Sequence, residues 1–350
     1  SFTGDLAGAR REHKAATQHI ARVSTADSIV DETLHRSLCD LYMLMSATPQ
    51  GPYPYAGIPW YSTTFGRDGL ITALQMLWFD PRVARGVLMR LARHQATTLD
   101  PAADAEPGKI LHEMRAGEMA RVGEVPFGLY YGGVDSTPLF VILAGRYAQR
   151  TGDYALVRRL WPAIERALAW LDRWGDRDSD GLIEYGASGG DGGLANQGWK
   201  DSSDSVFHAD GRLAKGPIAL VEVQGYAYLA RQIAAQCARR LGLTQRAAEL
   251  EIQARHQRDI FETAFWCEDL QGYALALDGD KRPCRVRTSN PAHALFTGIM
   301  PSDRARLVAA DILRPRFLTG WGVRTVAQDE ARYNPMSYHN GSVWPHDNAM

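Results

Sequence analysis

Paired helical segments separated by unusually long loops constrain this chain more than any other feature. Apolar spacing predicts helices over 67–79, 82–98, 136–150, 153–174, 217–241, 244–264, 291–298 and 302–313, with another starting near Val343. An earlier helix takes Thr25 as its N-cap, carries Leu34, Leu38, Leu41 and Met45 on one face, and ends before Pro49. Ser136 is placed to cap the 136–150 helix, with Pro138 in its first turn. In 153–174, Val157, Leu160, Ile164, Leu168 and Leu171 share a face, and Pro162 predicts a break near Trp161 with a restart at the proline. Met43, Met45 and Met76 read as core filler. The helices come in pairs, and the stretches 50–66, 100–135, 175–216, 265–290 and 314–342 between pairs are rich in Gly, aromatic and acidic residues. Loops this long in a compact chain usually carry function. Antiparallel pairs in series with long loops gathered on one side fit an all-α toroid of helical hairpins. An irregular bundle is the alternative, and the lack of a short strict repeat disfavours a solenoid. Short β-hairpins are expected in the loops, for instance around Leu182–Tyr185. The chain reads as one domain over 1–350, with 1–24 as an N-terminal linker or helix leading into it.

Composition excludes several function classes. A chain of 350 residues with 45% apolar and 23% charged side chains is neither disordered nor too large for one toroid. Its 39 basic and 40 acidic residues balance to a formal charge of −1 with no basic block, so no nucleic-acid partner is expected. The apolar runs are too short to span a bilayer, so no membrane role is expected either. Cys39, Cys237, Cys267 and Cys284 lie far apart with no CxxC, which suits buried thiols rather than a disulfide framework or a zinc site. No signal peptide opens the sequence, so a cytoplasmic location is expected, although both ends look cut. No phosphate loop, dinucleotide fingerprint or G-x-S-x-G elbow is present, and Gly189-Gly190-Asp191-Gly192-Gly193 reads as a flexible turn.

The loops share a vocabulary of aromatic residues beside Gly with a charged or imidazole group close by. Examples are Phe65-Gly66-Arg67-Asp68, Leu111-His112-Glu113-Met114-Arg115, Tyr130-Tyr131-Gly132-Gly133-Val134-Asp135, Gly198-Trp199-Lys200-Asp201 and Tyr338-His339-Asn340-Gly341. Sugar binding asks for this mixture, because pyranose rings offer C–H faces to aromatic rings and hydroxyls that both donate and accept. Asp201 is the best candidate for chemistry: a carboxylic acid beside Trp199, whose bulk would desolvate it and keep it protonated. That requires Lys200 to point away from the pocket. The other reading makes Asp201 a turn cap with Ser202 and Ser203. Asp68 is likewise either a ligand or a carboxylate favoured by a helix dipole. His112, His339 and His346 lack zinc spacing and read as hydroxyl binders or packing residues. Asp176, Asp178, Asp180 and Glu184 form an acidic loop with Gly181 at its sixth position, but Ala187 stands where an EF-hand needs Glu. It is either a partial calcium site or a hydrated turn.

FGRDGLITALQ (65–75), LHEMRAGEMA (111–120), GLYYGGVDSTPLF (128–140), DRDSDGLIEY (176–185), QGWKDSSDS (197–205), EVQGYAY (222–228), GWGVRT (320–325) and YHNGSVWPHDNAM (338–350) occur in order. Together they resemble the catalytic domain of bacterial amylo-α-1,6-glucosidase-like proteins, relatives of glycogen debranching enzymes and more distantly of trehalases and processing α-glucosidases. The resemblance covers nearly all of the chain. It implies an (α/α)₆ barrel and an inverting glycoside hydrolase that removes terminal α-linked glucose from an α-glucan or oligosaccharide. The family's general acid, the Asp of a Trp-x-Asp motif, is matched by Asp201. Residues matching the terminal-glucose subsite are Arg67, Asp68, His112, Glu113, Arg115, Asp135, Trp321, Tyr338, His339 and Trp344, with Trp199 beside them as an aromatic wall. No cofactor is implied as required. A structural calcium ion, bound in some relatives through a comparable loop, would use Asp176, Asp178, Asp180 and Glu184.

The family's general base is a Glu lying well after the YHNGSVWPHD segment, inside which this sequence stops. The expectation is therefore a fragment that holds the acid without the base and leaves about two of twelve barrel helices unmade, inactive alone and exposing apolar helix faces. A base supplied from within the chain, such as Glu113 or Glu124, is the disfavoured alternative. The competing reading is a carbohydrate-binding pseudoenzyme. A toroidal cyclase or lyase would want a DDxxD-like metal cluster, which is absent. Oligomeric state is not legible.

Overall fold

A computed structural model of the protein describes residues 2–18, 20–124, 128–186 and 193–350. Helices α1 (Phe2–Thr17) and α2 (Ser28–Met43) lead through the antiparallel hairpin β1 (Met45–Thr48) and β2 (Gly51–Pro54) to strand β3 (Thr64–Phe65). The hairpin α3 (Gly66–Met76) and α4 (Pro81–Arg93) follows, then β4 (Glu113–Met114) and the short α5 (Glu118–Arg121). A second hairpin joins α6 (Ser136–Thr151) to α7 (Tyr154–Trp170). Strand β5 (Ala219–Leu220) enters a third, α8 (Val221–Arg240) with α9 (Thr244–Phe265). Strands β6 (Trp266–Cys267), β7 (Gly272–Tyr273) and β8 (Ala276–Leu277) precede α10 (Asn290–Thr297) and α11 (Ser302–Ile312), and α12 (Pro345–Ala349) comes last.

The hairpins stand side by side with their first helices inward. α3 packs on α6, α6 on α8 and α8 on α10, while each hairpin's second helix lies against its own first, and α12 meets α3. Burial follows this order. α6 and α8 are buried nearly all round, as helices inside a ring must be, whereas α7 buries the stripe Leu156, Leu160, Ala163, Ile164, Ala167 and Leu168. Two helical glycines let the inner helices approach closely. A Cβ at Gly145 of α6 would fall on Ile233 Cγ2 of α8, and one at Gly225 of α8 would meet Thr297 Oγ1 of α10 at 2.9 Å.

Connections within a hairpin are short, over 77–80, 152–153, 241–243 and 298–301, so the long loops all enter the inner helices at their N-terminal ends. The small antiparallel sheets lie in these loops. β3 pairs with β4, aligning Phe65 with Glu113, and β5 pairs with β8, aligning Leu220 with Ala276. Tyr185 bridges Ile218 where a short strand was expected near Leu182–Tyr185.

Several local expectations are corrected. α7 runs unbroken through Pro162, which lies on the exposed side of the helix, while the apolar stripe on the opposite side holds the helix together. The cap of α2 is Asp27, which accepts from Ile29 N at 2.8 Å, and Thr25 instead bonds Asp31 at 2.9 Å. Met45 belongs to β1, not to the helix before it, and Met43 is 68% exposed whereas Met76 is buried. Residues 217–220 are not part of α8, because Ile218 bridges Tyr185 and Ala219–Leu220 pair as β5 with β8. Four of the five residues of the glycine-rich turn, 189–192, lie outside the described residues. Among the described residues no helix is long and apolar enough to cross a membrane.

Candidate active site

The loop-bearing ends of the inner helices converge on one cavity of about 350 Å³. Arg67 and Asp68 come from the first turn of α3, Trp199 and Asp201 from the loop before β5, and Tyr338, His339, Trp344 and His346 from the segment entering α12. The entry to α3 is fixed from both sides: Gly66 N donates to His112 O at 2.8 Å, and the Tyr53 hydroxyl donates to Phe65 O at 2.7 Å. A Cβ at Gly66 would collide with the Leu111 carbonyl, so only glycine fits there.

Arg67 is the electrostatic hub. Its NH1 donates to Asp135 Oδ2 at 3.0 Å and Oδ1 at 3.3 Å, and NH2 reaches Asp201 Oδ2 at 3.4 Å. Burial works against its charge, but Asp135, Asp201 and Asp68 outweigh that and hold the guanidinium firmly protonated. Asp135, the residue before α6, is itself buried, so it orients Arg67 from behind rather than facing the cavity.

Asp201 behaves differently from an ordinary surface carboxylate. Burial raises its carboxyl above the usual range, Asp68 and Asp135 push it the same way, and Arg67 opposes them. Its turn is held by other groups: Asn196 Nδ2 donates to Ser202 O at 2.7 Å, and Asn196 in turn accepts from the Tyr185 hydroxyl at 2.7 Å. The carboxylate is thus left to the cavity instead of capping the turn. Lys200 points away, donating from a buried ammonium to Thr325 O at 2.7 Å, and burial brings it down to about 8. Asp68, raised chiefly by burial and held back by Arg67, is the second carboxylate on the wall.

Aromatic groups make the other walls. The Trp344 ring stacks on His339 with centroids 5.3 Å apart, and Trp199 meets His346 edge-on at 4.8 Å. Burial lowers His339 to about 3 and His346 to about 4, so both imidazoles are neutral at ordinary pH. His339 Nδ1 accepts from Ser202 N at 3.4 Å and lies 4.0 Å from Asp201 Oδ1. The phenols of Tyr61 and Tyr338 hydrogen-bond to each other, and burial, then this bond, pushes Tyr338 up to about 12.

Of the residues singled out from sequence, the cavity gathers Arg67, Asp68, Trp199, Asp201, Tyr338, His339 and Trp344. His112 lies outside it, wedged edge-on against Phe65 and Tyr130 and held neutral by burial. Glu113 is buried against Arg115, and Arg115 NH1 donates to Trp60 O at 2.9 Å. Trp321 is 93% exposed and lines no part of the cavity, because the Thr319 turn carries it outward. Tyr61 and His346 line the cavity without having been selected as site residues. The aromatic density of Tyr53, Tyr55, Trp60 and Tyr61 was the available signal for the first. His346 was already visible beside Trp344, but either role suited it.

Away from the cavity, oxygens of Asp176, Asp178 and Asp180 lie within 4.8 Å of one another. The Lys281 ammonium sits among them, 3.0 Å from Asp178 Oδ2 and 2.7 Å from Asp180 Oδ2, and also contacts Glu184.

Residues 61–350 match the mannosylglycerate hydrolase MGH1-like glycoside hydrolase domain family. No curated protein matches the chain. Among solved structures, a family GH63 mannosylglycerate hydrolase from Thermus thermophilus, in complex with Tris, is similar at 16% identity and a TM-score of 0.67, over 89% of this chain and 84% of that one. A sialidase is similar at 12% identity and 0.66, over 93% of this chain and 27% of that one. A GH78 rhamnosidase of Bacillus sp. GL1 is similar at 16% and 0.59, over 83% and 26%. The chain thus spans about a quarter of the length of these last two proteins. At such identities the likeness establishes the fold, a toroid of helical hairpins.

Proposed function

The chain belongs to the MGH1-like glycoside hydrolase family, and from that premise we propose that it removes terminal α-linked glucose from a neutral glycan by inversion, with Asp201 as the general acid. The observation that carries this reading is a carboxyl raised by burial and by neighbouring carboxylates, facing an aromatic-walled cavity. A carboxyl raised in this way keeps its proton to higher pH than an ordinary aspartate and can give it to the departing glycosidic oxygen. Trp199 and Trp344 line the cavity with aromatic surface against which the C–H groups of a sugar can pack, and Arg67 and Asp68 offer a donor and an acceptor for its hydroxyls. With Nδ1 accepting from Ser202, neutral His339 keeps its Nε2–H as a donor. Water, activated by a second carboxylate about 6.5–9.5 Å from the first, would attack the opposite face. By the amylo-α-1,6-glucosidase resemblance that base is a Glu following the YHNGSVWPHD segment.

The charge balance of the cavity supports a neutral substrate over a carboxylated one such as mannosylglycerate. Among the described residues lining it, Arg67 is the one guanidinium and already serves Asp135 and Asp201, while Asp68 and Asp201 are both acidic. An incoming carboxylate would find no cation free to pair it, and Asp68, where ionised, would repel it. Proton NMR of hydrolysis by a chain extended through that Glu should show β-glucose released first from isomaltose, with little release from mannosylglycerate. First release of the α-anomer would refute inversion, and a preference for mannosylglycerate would refute the neutral-glucoside reading.

A further inference from the structure

We infer that Lys281 is the resident cation of the acidic loop at 176–184, its ammonium filling the seat those carboxylates would otherwise offer a divalent ion. The loop follows the π-helical turn Leu171–Gly175 at the end of α7, and each of its carboxylates has a distinct task. Asp176 closes the turn, accepting from Asp180 N at 3.1 Å and Gly181 N at 3.0 Å. Asp180 gives Oδ1 to Leu182 N at 2.9 Å, which leaves Oδ2 for Lys281. Asp178 and Glu184 complete the ring around the ammonium.

A lysine ammonium has three protons, and here each finds a carboxylate: Asp178, Asp180 and Glu184. Glu184 makes the arrangement more than a surface acidic patch. It is only 2% exposed, points into the cluster, and its Oε2 has no hydrogen-bond partner among the described residues. Burying such a group without a cation would cost several kcal/mol.

Lys281 is delivered by a separate element. It ends the turn after β8, where Lys281 N donates to Asp278 O at 2.8 Å and its φ of 61° places it in the left-handed region. Asp278 fixes that turn by accepting from Asp280 N at 3.0 Å and Arg282 N at 2.9 Å. The ion pairs therefore clamp the β8 turn to the end of α7, in the way a calcium ion would clamp two loops.

The two cations exclude each other. Calcium needs six to eight oxygens at roughly 2.3–2.6 Å, and the oxygens it would require are those turned toward the ammonium at hydrogen-bonding distance. A calcium ion could enter only by expelling Lys281, whose charge would then remain nearby and repel it.

The test is thermal melting and calcium calorimetry on the wild type and on Lys281→Met. The wild type should melt at the same temperature in chelator and in millimolar calcium and should bind no calcium. Lys281→Met should melt lower in chelator, recover with calcium, and bind calcium at least about tenfold more tightly than the wild type. A wild-type melting temperature that falls on chelation, or tight calcium binding by the wild type, would overturn the inference. So would a Lys281→Met protein that melts like the wild type and ignores calcium. If Lys281→Met does not fold, wild-type calorimetry decides: no heat supports Lys281 as the cation, and saturable binding refutes it.

Discussion

Replacing Asp201 by Asn, in a chain extended through the general base, should separate catalysis from folding. The amide keeps the shape of the protonated acid but cannot give up a proton. General acid catalysis typically contributes ~10²–10⁴ in rate, or about 3–5 kcal/mol of transition-state stabilisation. The loss should depend on the leaving group. Isomaltose, whose leaving group is the O6 alkoxide of its second glucose, should suffer the full loss in kcat/KM, whereas 4-nitrophenyl α-glucoside, whose phenolate leaves unaided, should suffer much less. The fold should not suffer. Arg67 keeps Asp135 at 3.0 Å after losing the 3.4 Å contact to Asp201. The sign of the pH effect follows from the raised carboxyl. Its proton stabilises the fold fully below the ordinary carboxylate range, and that contribution is lost as pH rises through the raised value. Near neutrality, Asn should therefore be neutral to slightly stabilising. Steady-state kinetics on both substrates and a melting curve check this. An equal loss on both substrates would refute the acid role, and a large fall in melting temperature would show that Asp201 is structural.

Asp135→Asn should instead attack the fold, because Arg67 and Asp135 side chains are only 10% and 2% exposed and a broken buried pair costs about 3–5 kcal/mol; urea denaturation measures it. Gly145→Ala would gain helix propensity but drive a methyl onto Ile233 of α8, so a net loss of about 1–3 kcal/mol is expected from overpacking, read in the same assay. His339 and His346 are lowered by burial from 6.5 to about 3 and about 4, so the unfolded chain takes up their protons first. Their contribution to stability should be complete above 6.5 and lost as pH falls toward 4, and a His346→Gln variant should show a shallower acid slope in melting temperature.

Much of the site was legible because its chemistry is local. Arg67 and Asp68 sit at a helix start beside an aromatic and a glycine, and Asp201 follows Trp199 in a loop too long to be mere connection. Other roles turned on neighbours distant in sequence. His112 and Glu113 carry the same residue types as the cavity groups, yet neither lines it: His112 packs edge-on against Phe65 and Tyr130, and Glu113 pairs with Arg115. Trp321 looked like an aromatic platform, but its turn carries it into solvent. Pro162 carries a helix-breaking signal that tertiary packing of the buried stripe on α7 overrides.

The amino-acid order by itself determined the helices, their pairing into hairpins and the end at which the loops collect, because periodicity, caps and chain breaks act over a few residues. Only the tertiary structure decided which carboxylates face solvent, which pair with Arg67, and which surround Lys281. Those outcomes depend on burial and on charges separated by as many as 134 positions along the chain, as Arg67 and Asp201 are, and desolvation and Coulomb forces act on distance in space alone.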